Sequence, residues 1–199
     1  MNMPTIKAEQ MEDLNSWFDQ RFAEKLKEHE DNKTPSMAII ATKGTMDMAY
    51  PPFILASTAA ALGWDVSIFF TFYGLSLLKK DLDLKITPMG NPAMPMNLPF
   101  GPEWLQKTAM PVPTLAMNMP GFNNMATTLM KQSARNKGIA SIEDLRELSL
   151  EADVKMVACQ MTVDWFGWER GDFIDGIDSW VGATSFLPFA QKADVTLFV

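Results

Sequence analysis

The feature that most constrains the fold is an alternation of short apolar runs with segments of helical pattern. Residues 36–41 and 65–70 are apolar and bounded by polar or turn residues, as buried parallel strands are. Between them, residues 51–62 form an alanine-rich stretch that opens with two prolines and is followed by Gly63, which predicts a helix with proline in its first turn. Together these segments predict a βαβ unit.

The same alternation continues along the rest of the chain. The pattern predicts helices over 74–80, 122–137, 141–152, 160–166 and 179–192, and strands over 84–86, 154–158 and 195–199. Ser141, followed three residues later by Asp144, resembles a capping box at the start of its helix. The chain therefore predicts an α/β fold, a three-layer α/β/α sandwich around a mainly parallel sheet.

An amphipathic helix over residues 8–30 precedes this pattern. Its apolar residues are spaced three or four apart: Met11, Leu14, Phe18 and Phe22. This spacing favours packing on the domain or on a neighbouring subunit, and a docking arm for another protein is the alternative. We expect residues 1–35 to form an N-terminal helix and linker, and residues 36–199 to form one α/β domain.

Residues 87–113 interrupt the alternation. This stretch is rich in proline and methionine and also contains Leu98, Phe100 and Trp104. Long connections of this kind are usually lids, interface arms or disordered linkers, and the apolar content disfavours disorder. We expect an ordered lid or an oligomer contact, and we favour the contact.

Charge and hydropathy exclude several functional classes. The formal net charge is −7 and the pI is near 4.7, which disfavours binding to nucleic acid or to an anionic membrane surface. No run approaches the roughly 20 apolar residues that span a bilayer. Residues 1–7 lead into a charged helix rather than a signal peptide. We therefore expect a cytoplasmic protein.

The chain contains one cysteine, Cys159, and one histidine, His29. It therefore has no internal disulfide and cannot assemble a zinc site of the usual Cys/His kind within one chain. A Ser-His-Asp or Cys-His arrangement would have to use His29, which lies in a charged stretch near the N-terminus. We expect neither a metal nor a cofactor.

Cys159 occupies the position where chemistry is expected in an open parallel sheet. It follows the predicted strand 154–158 and precedes the predicted helix 160–166, so the free amides and positive dipole end of that helix would favour a thiolate. Lys43, in the loop after the first strand, would add a positive charge at the same edge. The alternative is a buried cysteine that acts as a small apolar side chain.

Four segments resemble the DsrE/DsrF/DsrH-like family, in particular its DsrE-type branch, which is loosely labelled peroxiredoxin-like. They cover residues 43–75, 84–96, 119–131 and 154–167, and they include the motifs KGTMDMAYPP and ACQMT. The resemblance extends over nearly all of residues 36–199. It implies a homo-oligomer that accepts sulfane sulfur as a persulfide on Cys159 and exchanges it with TusA-like and rhodanese-like proteins.

A dry, partly enclosed pocket around the sulfur would protect such a persulfide. The residues that we expect at this pocket are Lys43, Gly44, Tyr50, Phe122, Gln160, Met161 and Trp165. The chain lacks the second cysteine that some relatives carry near the middle of the chain, so a disulfide relay within one subunit is excluded. It also lacks a peroxidatic motif before Cys159.

Three hypotheses remain open from the sequence. The first is a sulfur carrier or sulfurtransferase. The second is a non-catalytic homo-oligomeric binding or assembly module with a buried structural cysteine. The third is a small-ligand or nucleotide site that uses residues 42–45 as an anion-binding turn, although a Lys-Gly-Thr tripeptide is not a P-loop.

Overall fold

The structure is a computed structural model that describes residues 8–87, 101–104 and 120–199. The chain divides into two compact units, one ending at Thr34 and the other beginning at Pro35. The first unit contains helix α1 (Ala8–Asn32). Among the described residues, no helix is both long enough and apolar enough to cross a bilayer.

The second unit is built on a five-stranded sheet in which every neighbouring pair of strands is parallel. The strands are β1 (Ser36–Ala41), β2 (Asp65–Phe70), β3 (Lys155–Cys159), β4 (Ser179–Val181) and β5 (Val195–Phe198). Their order across the sheet is β4-β3-β2-β1-β5. The central strands are almost wholly buried, which accounts for their continuous apolar sequences.

Helices cover both faces of this sheet. They are α2 (Met46–Ala61), α3 (Phe122–Asn136), α4 (Ile142–Glu151), α5 (Gln160–Phe166) and α6 (Ala183–Lys192), with 3-10 helices at Phe72–Leu78 and Arg170–Asp172. Phe70 packs on Phe53 of α2, whereas its neighbour Phe69 stacks on Phe186 of α6. Because successive strand residues point to opposite faces, α2 and α6 lie on opposite sides. The predicted three-layer α/β/α sandwich is confirmed.

Helix α2 begins earlier than the sequence predicts. It starts at Met46, so Pro51 and Pro52 lie inside the helix and the prediction of proline in its first turn is wrong. The early start is stabilised from outside the helix, because the carboxylate of Asp47 accepts hydrogen bonds from the backbone N–H of Thr87 at 2.9 Å and from its hydroxyl at 2.8 Å.

The strand predicted over residues 84–86 does not form. Leu84 is buried, but residues 82–87 have no regular structure. Their backbone instead forms hydrogen bonds with two helices. The Lys85 carbonyl accepts from Met46 N of α2 at 2.9 Å, and Ile86 N donates to Thr127 Oγ1 of α3 at 3.1 Å. The apolar residues here anchor a connection rather than extend the sheet.

The helix predicted over 179–192 is two elements. Residues 179–181 form strand β4, in register with Val157–Cys159 of β3, and the helix begins only after Gly182. The other differences are smaller. The short helix predicted over 74–80 is the 3-10 helix Phe72–Leu78. Most of the predicted lid or contact over 87–113 lies outside the described residues.

Candidate functional site

Cys159 lies where β3 turns directly into α5. It is the last residue of the strand and the N-cap of the helix, with no loop between the two elements. On one side it is in register with Val181 of β4. Only 2% of its surface is exposed, so the sulfur is enclosed in the folded chain.

Helix α5 starts at the residue after Cys159 and has one inward-facing side. Thr162 and Val163 face inward and are almost completely buried, while Met161 and Trp165 are 60% and 66% exposed. The hydroxyl of Thr162 contacts the hydroxyl of Thr71 at 3.3 Å and accepts a hydrogen bond from Phe72 N at 3.4 Å. Both distances are long for hydrogen bonds, so the polar contacts of Thr162 are weak.

A group of aromatic side chains joins α5 to the Phe72–Leu78 3-10 helix at the surface. Phe72 meets Trp165 edge to face at 5.6 Å between ring centroids, and Tyr73 stacks on Phe166 at 5.8 Å. Phe72 has a φ of 47°, a strained conformation for a bulky residue. We call the exposed members of this group, namely Phe72, Tyr73 and Trp165, the aromatic patch.

Gln160, the first residue of α5, is held by two hydrogen bonds. Its amide nitrogen donates to Asp164 at 2.7 Å, and its amide oxygen accepts from the Arg170 guanidinium at 2.6 Å. Arg170 also lies over the ring of Trp180 in β4, at 5.1 Å from the centroid. The residue that follows Cys159 is therefore linked to the β4 side of the site as well.

Lys43 and Gly44 lie in the loop after β1, at the same edge of the sheet as Cys159. Strand β2 separates the two positions, which places the axes of β1 and β3 roughly 10 Å apart. Lys43 is exposed. Gly44 is needed for close packing, because a Cβ there would lie 2.2 Å from the Tyr73 carbonyl oxygen. The loop therefore abuts the 3-10 helix.

Tyr50 lies in a different place, a cleft of about 410 Å³ between α2, α3 and α4. Its hydroxyl donates to the Ala140 carbonyl at 3.2 Å. Partial burial, together with the charge of Glu143, raises the pKa of Tyr50 above its usual value, so the phenol keeps its proton. Cys159 is not among the described residues that line this cleft, and Phe122 is a half-buried residue at the start of α3.

The sheet itself separates Cys159 from Tyr50. Cys159 follows Val157 by two residues, so both point to the face of the sheet on which Phe69, the register partner of Val157, packs against α6. Tyr50 belongs to α2, on the other face. The residues expected at one pocket thus do not all meet. Gln160, Met161 and Trp165 lie on the helix that begins at the cysteine, Lys43 and Gly44 lie in the loop after β1, and Tyr50 lies on the other face.

Arg146 is a residue that sequence reasoning missed. It is a buried arginine of α4 whose guanidinium donates to the carbonyls of Leu77 at 3.0 Å and Lys79 at 2.8 Å, the end of the 3-10 helix. Burial lowers the pKa of Arg146, while Glu143 and Glu147 oppose that shift. The sequence signal was its place on the apolar face of α4, between Ile142 and Ser149.

These contacts limit what the arrangement can do chemically. Within the described ranges, no group of three His, Cys, Asp or Glu side chains is placed to hold a metal ion. At this edge the structure places a buried thiol at the start of a short helix that carries exposed aromatic side chains. A thiol needs neither metal nor general base to exchange sulfur once it is deprotonated and reachable.

Comparisons with known proteins identify relatives of this chain. The model of the DsrE/DsrF/DrsH-like family matches residues 33–198. The sulfur carrier protein DsrE2 of Allochromatium vinosum is 55% identical over 82% of this chain and 97% of its own length. The YrkE protein of Bacillus subtilis is 28% identical over 84% of this chain and 98% of its own.

Among solved structures, the ychN protein of E. coli matches 83% of this chain and 100% of its own, with a TM-score of 0.45 and 11% identity. The family match and the 55% identical relative both cover most of the chain. The chain belongs to the DsrE/DsrF/DrsH-like family.

Proposed function

We propose that this protein is a cytoplasmic sulfur carrier that holds sulfane sulfur as a persulfide on Cys159 and passes it to an acceptor thiol, in sulfur oxidation or in a sulfur relay. The observation that carries the proposal is the 55% identity to a sulfur carrier protein across 97% of that protein. The position of the chain's one cysteine, at a strand-to-helix turn on the carboxyl edge of the sheet, supports it.

The exchange needs no oxidant or reductant. The Cys159 thiolate attacks the outer sulfur of a donor persulfide, the donor S–S bond breaks, and the donor leaves as a thiolate. Cys159 then carries the sulfur as Cys-S-S⁻. An acceptor thiolate attacks that outer sulfur, and the Cys159 thiolate is released, so sulfur atoms, electrons and charge balance over the cycle.

Access is the step that the burial of Cys159 makes critical. With 2% of the residue exposed, neither donor nor acceptor reaches the sulfur in the closed fold. A seven-residue helix is marginal on its own and depends on its packing. We propose that α5 opens locally, at much lower cost than global unfolding, and that loading takes place from this open state.

The aromatic patch supports the choice of partners. Exposed apolar side chains that lie together mark interaction sites on many proteins, and this patch includes Trp165 of the helix that begins at Cys159. We propose that TusA-like and rhodanese-like proteins dock here and favour the open form of α5. Lys43 and Arg170, at the same edge, would face the anionic persulfide of such a partner.

Loading with tetrathionate tests the proposal. A Cys159 thiolate that attacks tetrathionate releases thiosulfate and keeps a thiosulfonate group, which intact-mass spectrometry of the native protein detects. We expect one adduct per chain, its removal by a small acceptor thiol, and no adduct in the Cys159→Ser variant. A native protein that acquires no adduct contradicts the carrier function.

The burial of Cys159 also favours a second candidate function, a homo-oligomeric assembly module with a structural cysteine. Thiol titration separates the two functions. A carrier reacts in the native state at a rate set by the opening of α5. In an assembly module, Cys159 reacts only after the protein is denatured.

A further inference from the structure

Phe72 has a backbone conformation that bulky residues rarely adopt. Its φ of 47° lies in the left-handed region, and among the described residues other than glycine it shares a positive φ only with Asp153. Aspartate tolerates this region because its short side chain forms local hydrogen bonds, whereas an aromatic residue is strained there. Strain of this kind persists only where the surrounding structure holds it in place.

Phe72 is the first central residue of a tight turn from Thr71 to Gly74. The turn is closed by Gly74 N, which donates to the Thr71 carbonyl at 3.0 Å. Phe72 has a positive φ and Tyr73, the second central residue, does not, which is the pattern of a type II′ turn with glycine normally at the first central position. A type I turn closes with the same hydrogen bond and has negative φ at both central residues. A relaxed turn with the same ends is therefore available to this segment.

The ends of this turn are fixed to the end of β1. Thr71 N donates to the Ala41 carbonyl at 3.0 Å, and Gly74 N also lies 3.1 Å from the Thr42 carbonyl oxygen. A Cβ at Gly74 would lie 2.2 Å from the Ala41 carbonyl oxygen, so the backbone is closely packed at this end. Because both turn types share these ends, the contacts with β1 do not select the strained one.

The centre of the turn is held by α5. Phe72 N donates to Thr162 Oγ1 at 3.4 Å, and the Phe72 ring meets Trp165 edge to face at 5.6 Å between centroids. The N–H and the side chain are attached at the two ends of the bond about which φ turns, so a change in the sign of φ cannot keep both contacts. The contacts that select the strained turn are therefore made with α5.

We propose that the turn from Thr71 to Gly74 is strained while α5 is closed and relaxes when α5 opens, so that Phe72 lowers the cost of opening. Strain that exists in one form alone shifts the equilibrium toward the other form. Phe72 also belongs to the aromatic patch, so a partner that binds the relaxed turn would favour the open form. This inference rests on the opening of α5 in the proposed function, but not on the presence of sulfur on Cys159.

Hydrogen exchange of the α5 backbone measures its opening without using Cys159. Two amides at the end of the helix serve as probes, because Gly167 N donates to the Asp164 carbonyl at 3.3 Å and Trp168 N to the Val163 carbonyl at 3.1 Å. Both bonds break when α5 opens, so the exchange rate of these amides follows the open population. Exchange that occurs in the wild type only through global unfolding overturns the proposal.

A pair of substitutions at Phe72 separates the strain from the ring. Phe72→Ala and Phe72→Gly both remove the ring, but only alanine keeps the strain, since glycine adopts positive φ readily. The unstrained closed form should open less often, and we expect the α5 probes to exchange about fivefold more slowly in Phe72→Gly than in Phe72→Ala. Equal exchange in the two variants, or faster exchange in the glycine variant, contradicts the proposal.

The matched pair at Tyr73 is the control. Tyr73 is in the same turn, has no positive φ, and stacks on Phe166 of α5. Tyr73→Gly should exchange as fast as Tyr73→Ala or faster, because glycine only adds backbone freedom at this position. Slower exchange in Tyr73→Gly would show that the effect at Phe72 does not come from its φ.

Urea titration and tetrathionate loading of the Phe72 variants complete the test. If Phe72→Gly is more stable than Phe72→Ala in urea but has the same α5 exchange, the strain persists in the open form and the proposal is wrong. Failure to load tetrathionate contradicts the carrier function and leaves the exchange ratio as it is. The two failures are therefore distinguishable.

Discussion

Two βα turns at the same edge of the sheet are built in contrasting ways. The turn between β1 and α2 is tied to distant segments, because Thr42 N donates to the Val199 carbonyl at 2.8 Å and the Asp47 carboxylate binds Thr87. The turn between β3 and α5 has no loop, and the helix it starts has seven residues, two of them buried.

The contrast indicates which turn can move. The first turn begins a 16-residue helix whose start is fixed by contacts some forty residues away, and it leads to the Tyr50 cleft. The second turn places the chain's one cysteine at the start of a helix that is held by Thr162, Val163, surface rings and the bond between Gln160 and Arg170. The shorter helix is the one that we expect to open more readily.

The largest effect is expected at the 3-10 helix Phe72–Leu78, which contacts Gly44 of the first turn and Trp165 of α5. Arg146→Ala removes the guanidinium by which α4 binds the end of the 3-10 helix. The Leu77 and Lys79 carbonyls then lose the hydrogen bonds that Arg146 donates to them. We expect the free energy of unfolding to fall by about 3 kcal/mol. Arg135→Ala, at an exposed position of α3, is the control and should change it by less than about 0.5 kcal/mol. Equal effects would show that Arg146 is not structural.

The next effect concerns helix α5, which begins directly after Cys159. Thr162→Val keeps the shape of the side chain but removes its contacts with Thr71 and Phe72, so the open form of α5 should become more populated. We expect native thiol labelling of Cys159 to become about tenfold faster, which corresponds to roughly 1.4 kcal/mol. Thr128→Val, on the exposed face of α3, should leave the rate unchanged. An unaltered rate in Thr162→Val would mean that α5 does not gate the sulfur.

A substitution in the Tyr50 cleft should lower stability without changing the labelling of Cys159. Tyr50→Phe removes the hydrogen bond to the Ala140 carbonyl and should lower the free energy of unfolding by about 1 kcal/mol. Because the sheet separates Tyr50 from Cys159, we expect thiol labelling and sulfur loading to stay as in the wild type. Loss of loading in Tyr50→Phe would place both residues in one site.

The smallest effect is a pH dependence at α4. Hydrogen bonds from the side chain and backbone of Ser141 lower the pKa of Asp144. Their contribution to stability is therefore present above the ordinary carboxyl value and is lost as pH falls through the lowered one, below about 4. Asp144→Asn should weaken this part of the acid dependence in urea titrations. A curve that matches the wild type would contradict the capping box.

The sequence predicted those parts of the fold that depend on local pattern. Strands 36–41 and 65–70 and helix 160–166 have the predicted bounds, since buried runs and the Gly167 end signal with its φ of 66° are local features. The early start of α2 and the failed strand at 84–86 depend on contacts between Asp47 and Thr87 and between Met46 and Lys85, which no local pattern records.

The site was predicted in part for the same reason. The place of Cys159 at a strand end follows from an apolar run and a helix signal. Its burial depends on tertiary packing, and the helix that follows it contacts Thr71 and Phe72, about ninety residues earlier in the chain. The short strand β4 beside it was missed because a three-residue strand before Gly182 resembles the start of a helix.

Intact-mass spectrometry of the native protein, after exposure to a persulfide donor without denaturant, decides whether the folded chain carries sulfur. We expect one added sulfur atom per chain, located on Cys159 by peptide mapping and absent in Cys159→Ser. Sulfur that appears on Cys159 only after unfolding would show that the folded chain does not carry it.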